Sequence, residues 1–577
     1  MFWDERLLEP SMHQRGDVLT TELRHVLVAG ALVALGGCTS EGGTDAFSGQ
    51  GTASGTAAET GGSAGEETDG GSGGAGAGGD STDGSSESGD DGSTSDGDGP
   101  IIPDGAGDEV WDSLYDQMLP PIDGATRWVA VDGDDGNDCT DASPCATIFR
   151  ALETIEGGGQ IVVRDGHYTN VLGMRVNDNT SEGPSENYGV AVPSGLDADH
   201  RTVIRAEHRF GVRLTFQDAG FAWRNEWIRL DDAEFVWVDG FIVDWLGQGG
   251  DPTYIVNMGR NNVLSRTILR RDAVDDYGGM ITMGAEDSRS LVQDVHGVGG
   301  GRYMIQTGPG TSGTGGRGTV RRAVFRFDFA GSNQPMATFS HYGNNSGDGS
   351  QGAMFQNAIA IDGPNIDTGL GAYSYKWGSY YNPKNALEVR YQGSMSIAEG
   401  GRTAFWVNDN VGDPQTEVTD ALVVGADVGS GLRVSAGRSN VSNSTFLNVD
   451  ECFQGDGVED SNNECMADIP EQIIGRPDGA EVEFAYGRFL SVWGDEGHDE
   501  VTEVPLWPFP YEGYIKMVFA EPLDPPSGYT PSSNDTRRGF CADESLDGSP
   551  LTLTRYIYEL GGTPIPEHVY ADADTDD

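Results

Sequence analysis

A repeat of short strands between about Val263 and Leu447 constrains this chain more than any other feature. Five runs recur roughly every 24 to 35 residues: Met280-Ile281-Thr282-Met283, Tyr303-Met304-Ile305-Gln306-Thr307, Thr338-Phe339-Ser340-His341-Tyr342, Tyr373-Ser374-Tyr375-Lys376-Trp377 and Phe405-Trp406-Val407-Asn408-Asp409. The first four each end in a glycine, at Gly284, Gly308, Gly343 and Gly378. A second set precedes them in step: Thr267-Ile268-Leu269, Leu291-Val292, Ala323-Val324-Phe325, Ala358-Ile359-Ala360 and Met395-Ser396-Ile397. Short strands at this period, with no helical segment between them, bury their apolar faces only by stacking coil on coil. The expected fold class is all-β, a parallel β-helix with capped ends.

Upstream, Val26 to Cys38 is an apolar run too short to cross a bilayer, with Arg24 and His25 just before it, which is the layout of a secretory signal. Leu35-Gly36-Gly37-Cys38 resembles the bacterial lipobox, which implies lipidation of Cys38 and a membrane anchor. Acidic residues before Arg24 are unusual in a signal n-region, and translation beginning at Met12 instead of Met1 is one explanation; Thr39 points to outer-membrane sorting. The following stretch is almost entirely Gly, Ser, Thr, Asp, Glu and Ala. It cannot bury enough apolar surface to offset chain entropy, so residues 38–108 are expected to be a disordered tether after a signal at 1–37.

The folded part begins near Glu109. Trp128-Val129-Ala130-Val131 runs into the acidic turn Asp132-Gly133-Asp134-Asp135-Gly136-Asn137-Asp138. A short helix is expected over Pro144-Cys145-Ala146-Thr147-Ile148-Phe149-Arg150-Ala151-Leu152, then a strand over Gln160-Ile161-Val162-Val163 before Gly166-His167-Tyr168. This order resembles the N-terminal cap of pectate-lyase-like right-handed parallel β-helix proteins. The resemblance covers about 40 residues and implies fold more than activity, since that superfamily includes lyases, hydrolases, epimerases and non-enzymatic surface proteins. It sets the expected layout: N-terminal cap and first coils at 109–200, the β-helix at 201–447, and an irregular C-terminal cap with an acidic tail at 448–577. The run Phe235-Val236-Trp237-Val238-Asp239-Gly240-Phe241-Ile242-Val243 is the most apolar and belongs deep in the stack.

With Cys38 lipidated, five cysteines remain in an oxidising setting. Cys139 with Cys145 and Cys452 with Cys465 flank short loops and are the expected local disulfides. Cys541 is then left over, or pairs with one of the later two. The formal charge of −57 argues against nucleic acid as a partner. The chain is expected to act as a monomer. Lysine occurs only at 376, 384 and 516, so each draws notice.

Alternation sends neighbouring side chains to opposite faces. Alignment on the terminal glycines places Ile281, Ile305, Ser340, Tyr375 and Val407 inward, and Thr282, Gln306, His341, Lys376 and Asn408 outward. Met280, Met304, Phe339, Ser374 and Trp406 share the outer face in that alignment. Coils lie about 4.8 Å apart, so His341 and Lys376 would stand side by side, with Tyr342 and Trp377 at the corner. Such a surface suits a saccharide. Rings of Trp377 and Trp406 meet sugar faces, and Gln306 and Asn408 bind hydroxyls. A polysaccharide lyase needs a base for the proton α to a uronate carboxylate and a proton donor for the leaving oxygen. Lys376 or His341 is the candidate base and Tyr342 the donor. Asp272, Asp275 and Asp276 cluster on one turn and are candidate ligands for Ca²⁺, a frequent aid in lyases resembling this fold. The acidic turn at 132–138 is a second candidate. The Arg-x-Pro-x-x-Arg motif of the main pectate lyase family and the polygalacturonase motifs are absent, apart from an isolated Asp275-Asp276. Two functions therefore stand: a calcium-assisted lyase acting on an acidic polysaccharide, or a non-catalytic adhesin or glycan-binding scaffold.

Overall fold

The computed structural model describes residues 119–466, apart from breaks at 170–173, 178–189, 218–225, 247–253, 273–277, 285–287, 309–317, 330–336, 343–352, 357, 363–380, 385–387, 400–402, 409–414 and 429. Cys38, the tether, Asp275, Asp276, Lys376, Trp377, Cys541 and the cap beyond Met466 lie outside the described residues.

Coil by coil the chain lays one strand on each of three faces. Val236–Asp239, Phe241–Leu246 and Tyr254–Asn257 make one coil. In the next, Val263–Arg271 runs unbroken over the first and second faces before Gly279–Met283 takes the third. Strands of successive coils pair in parallel on every face. The chain is thus a three-faced parallel β-helix, right-handed as parallel crossovers are. The apolar run around Val236 is two strands on two faces, divided at Gly240, whose φ of 92° turns the chain.

On the first face an inward column runs through the core: Ile161, Ile204, Val238, Leu264, Val292, Val320, Phe355, Tyr391, Val418 and Val441 are consecutive partners, all buried. Leu291-Val292 belongs to this face, whereas Ile268, Val324, Ile359 and Met395 form a column on the second. Aromatic rings from different faces meet inside. Phe339 lies 5.8 Å from Phe325 and 5.7 Å from Phe355, and Phe355 stacks on Tyr391 at 5.0 Å.

In eight of the described coils the corner between the first and second faces carries a left-handed residue. Gly240, Arg266, Asp294, Arg322, Gly393, Asp420, Asn443 and Asn462 all have positive φ. A non-glycine residue there is strained unless its surroundings fix it. Arg266 is fixed by a bidentate pair with buried Asp239, which also accepts the Ser265 hydroxyl at 2.5 Å. Two coils on, Arg322 forks onto Asp294 with two bonds of 2.6 Å, both side chains enclosed.

At the N-terminal end the helix Ile148–Leu152 covers the first coil with Ile148, Ala151 and Leu152. The acidic turn serves this cap. Asp135 accepts the Ala146 and Thr147 amides at 3.0 Å each and the Thr147 hydroxyl at 2.9 Å, and Asp134 accepts Gly136 N–H. Both local disulfides are present, Cys139–Cys145 in the cap and Cys452–Cys465 in the last of the described coils. The coils run on past Leu447: Phe453–Gln454, Val458–Ser461 and Glu464–Met466 pair in parallel with the strands before them.

Phe355→Ala removes the ring that joins Phe339 to Tyr391. A loss of about 3–5 kcal/mol is expected, measured as a lower urea midpoint; an unchanged midpoint would contradict its place in the core column.

Candidate functional site

On the third face the structure moves the register by one residue relative to the glycine alignment. Ile281 pairs with Ile305 as expected, but Ile305 pairs with Phe339 and not with Ser340. The reason is burial: a phenyl ring inside the stack is worth far more than a serine there. The shift turns Ser340 outward and His341 inward, into the row of Met283 and Thr307. The expectation of His341 as an outward base is therefore corrected. Its imidazole is wholly buried and lies 2.9 Å from the Thr307 hydroxyl. Desolvation pushes its pKa down to about 3. Met280, Met304 and Phe339, expected outside, are in the core.

Two expected binding residues do share the outward column. Gln306 is half-buried and its amide oxygen accepts the Tyr254 hydroxyl. Trp406 is nearly enclosed, donates from Nε1 to Ser435 Oγ at 2.6 Å and lies under the Arg433 guanidinium at 5.8 Å. The two are not neighbours, since Ser340 and Asn382 intervene in register. Tyr342 pairs with Lys384, and Lys384 with Asn408. The lysine in register with Tyr342 and Asn408 is thus Lys384, a residue the glycine alignment passes over.

The most connected outward polar group lies elsewhere, on the second face of the early coils. Thr169, Thr215, Asp244 and Arg270 follow one another in register, and His167 pairs with Arg213. Asp244, almost wholly buried, is the hub. Its Oδ2 accepts Arg213 Nε at 2.7 Å and the Thr215 hydroxyl at 3.2 Å, and its Oδ1 accepts Arg270 Nη1 at 2.8 Å. The exposed His167 ring places Nε2 2.8 Å from Thr215 Oγ1. A threonine hydroxyl has one proton, and here Asp244 receives it. Thr215 must then accept Nε2–H from His167, which leaves Nδ1 as the ring's proton acceptor. Sequence reading missed this group because its members come from four strands some 26 to 48 residues apart, and no short motif links them.

Of the expected metal ligands, Asp272 is half-buried at the end of its strand. A different trio, Asp165, Glu207 and His208, brings its ligand atoms within 4.8 Å of one another at an exposed corner. Asp165 there accepts both His208 Nδ1 at 2.8 Å and the His208 amide at 3.3 Å. An imidazole in this set does not fit calcium, which takes oxygen ligands.

No family model and no curated protein sequence matches the chain. Among solved structures it is similar to pectate lyase Pel9A, at 15% identity over 60% of this chain and 80% of that one, with a TM-score of 0.36. It is similar also to a rhamnogalacturonan lyase, at 13% identity over 68% and 98% of the two chains, TM-score 0.29. A third is the PL6 family polysaccharide lyase Pedsa3628 from Pseudopedobacter saltans, at 13% identity over 53% and 78%, TM-score 0.33. These likenesses concern the path of the chain.

His296, like His341, is wholly buried, and burial together with the Arg322 charge holds it at about 3 against an ordinary 6.5. Between those values the unfolded chain binds more protons than the folded one. Stability from these two neutral rings is complete above about 6.5 and is lost as pH falls towards 3. In urea midpoints measured against pH, His341→Gln should flatten this slope; an unaltered slope would contradict an enclosed, neutral His341.

Proposed function

We propose that this protein is a carbohydrate-active β-helix that binds an acidic polysaccharide across the outer second face of its early coils and cleaves it by β-elimination. One observation carries the reading: the Asp244–Thr215–His167 relay fixes the tautomer of an exposed imidazole and aims a basic nitrogen outward, beside Arg213. His167 Nδ1 would take the proton α to a uronate carboxylate. The bond to the leaving sugar oxygen breaks as the ring double bond forms, and that oxygen takes a proton from water. Arg213, whose side chain keeps 27% of its area exposed, would balance charge developing on the carboxylate. The Arg213 charge also answers the repulsion a polyanion meets from a chain of net charge −57.

The second reading is a glycan-binding scaffold or adhesin without catalysis. It is favoured by the engagement of both Arg213 and Arg270 by Asp244, an arrangement that also holds the coils together. Assay against polyuronates and glycosaminoglycans, with Ca²⁺ and with EDTA, separates the two through the absorbance of the unsaturated product. Product is expected from at least one polymer. His167→Ala and Arg213→Ala should each lower the rate about a hundredfold or more, while Lys376→Ala and Lys384→Ala retain it. Binding without product supports the scaffold. Loss in either lysine variant instead of His167→Ala moves the chemistry to that lysine. The EDTA arm tests calcium at Asp272, Asp275 and Asp276, a part of the proposal supported by the clustering of these carboxylates in sequence.

The proposal includes a lipid on Cys38 that tethers a monomer to the outer membrane, supported by the apolar run ending in Leu35-Gly36-Gly37-Cys38. Labelled palmitate should enter the full chain and not its Cys38→Ala variant; equal labelling of both would remove the anchor.

A further inference from the structure

The point where the chain enters the β-helix carries a cluster that the proposed function does not use. Residues 119–125 lead into the first strand, Thr126–Val129. This lead-in is held by Gly124 N–H donating to Gly158 O at 3.0 Å and by Ala125 O accepting Gln160 N–H at 3.0 Å. Facing it is the loop 194–201 before the strand Thr202–Ala206. That loop is fixed from behind: Gly195 N–H donates to Glu234 O at 2.9 Å, and Arg201 Nη1 donates to Asn261 O at 2.6 Å. His200 stands between the two segments. Its Nδ1 is 2.8 Å from Asp197 Oδ1, within its own loop, and its Nε2 is 3.3 Å from Asp123 Oδ2, on the lead-in.

We infer that His200 is a pH-dependent staple that binds the lead-in to the early coils when protonated and releases it when neutral. The argument is one of proton count. An imidazolium donates from both nitrogens and satisfies both carboxylates at once. A neutral ring has one N–H. The shorter bond and the firmer partner are on the Asp197 side, because Asp197 Oδ1 is already oriented by the Asp199 and His200 amides at 2.9 Å each. The single proton therefore stays on Nδ1, and Nε2 turns a lone pair towards the Asp123 carboxylate. The contact changes from attraction to repulsion, and only the lead-in is free to move away.

The charged groups that face the ring are Asp123 from the lead-in and Asp197 and Asp199 from the loop, all acidic. The hydrogen bond to Asp197 is the largest influence raising the His200 pKa above 6.5; burial opposes it, and the charges of Asp197, Asp123 and Asp199 add to the rise. A raised folded value means that the stapling contribution is complete below the ordinary histidine range and lost as pH rises through the folded value. His200 is substantially exposed, so salt should weaken the effect.

The test is amide hydrogen exchange on the full chain. It compares the protection factor of Gly124, which reports lead-in docking, with that of Val203, whose N–H bonds to Gly159 O inside the sheet at 3.0 Å. The Gly124-to-Val203 ratio should fall severalfold as pH rises through the His200 titration, followed by NMR of its ring. In Asp123→Asn the ratio should become flat with pH although His200 still titrates above the ordinary value through Asp197. Val203 protection shows in each case that the coils are folded. A ratio flat with pH in the unaltered protein, or a pH dependence that persists in Asp123→Asn, would overturn the inference.

Discussion

Everything in this molecule depends on the inward columns of each face being continuous from coil to coil. A parallel ladder stacks equivalent positions directly above one another, so an apolar side chain is buried only if its neighbours above and below also face inward. Phe339 shows the strength of this rule. Its ring lies between Phe325 and Phe355 in the core, and the strand that carries it takes whatever register that placement requires. The outer surface follows as a consequence: Ser340 goes out, His341 goes in.

Polar groups brought inside by the same rule are kept tolerable by partners. His341 sits against Thr307 as a neutral ring. At the corner of the first and second faces, arginines in left-handed conformation are fixed by buried aspartates of the preceding coil. The planar guanidinium forks onto a carboxylate where a lysine would make a single point contact. That is a physical reason for arginine, rather than lysine, at these positions.

The proposed site uses the same geometry outward. Residues distant in sequence are placed a coil spacing apart, and Asp244 gathers a threonine and two arginines around one buried carboxylate, with His167 bonded in turn to that threonine. A sugar chain lying across the coils would meet a new row of side chains at each step of about 4.8 Å. The staple at His200 sits at the opposite kind of place, the junction where an irregular segment joins the stack, and there the interactions are exposed and tunable by protons.

The repeat, the cap pattern Trp128 to Tyr168 and the cysteine spacing were legible because each is local: strand period, turn residues and short loops are written in consecutive residues. The parallel β-helix and the Cys139–Cys145 and Cys452–Cys465 bridges follow from them. Gln306 and Trp406 were also placed on the correct face. Register was not legible, because alignment on glycines assumes equal loops, and a single extra residue before Gly343 is enough to exchange the two faces of a strand. Lys384 stands in register with Tyr342 and Asn408. The Asp244 network was beyond sequence reading altogether. Sequence by itself determined that the chain must coil; tertiary structure alone decided which side chains meet, since contact between coils is set by the competition for the core and not by spacing along the chain.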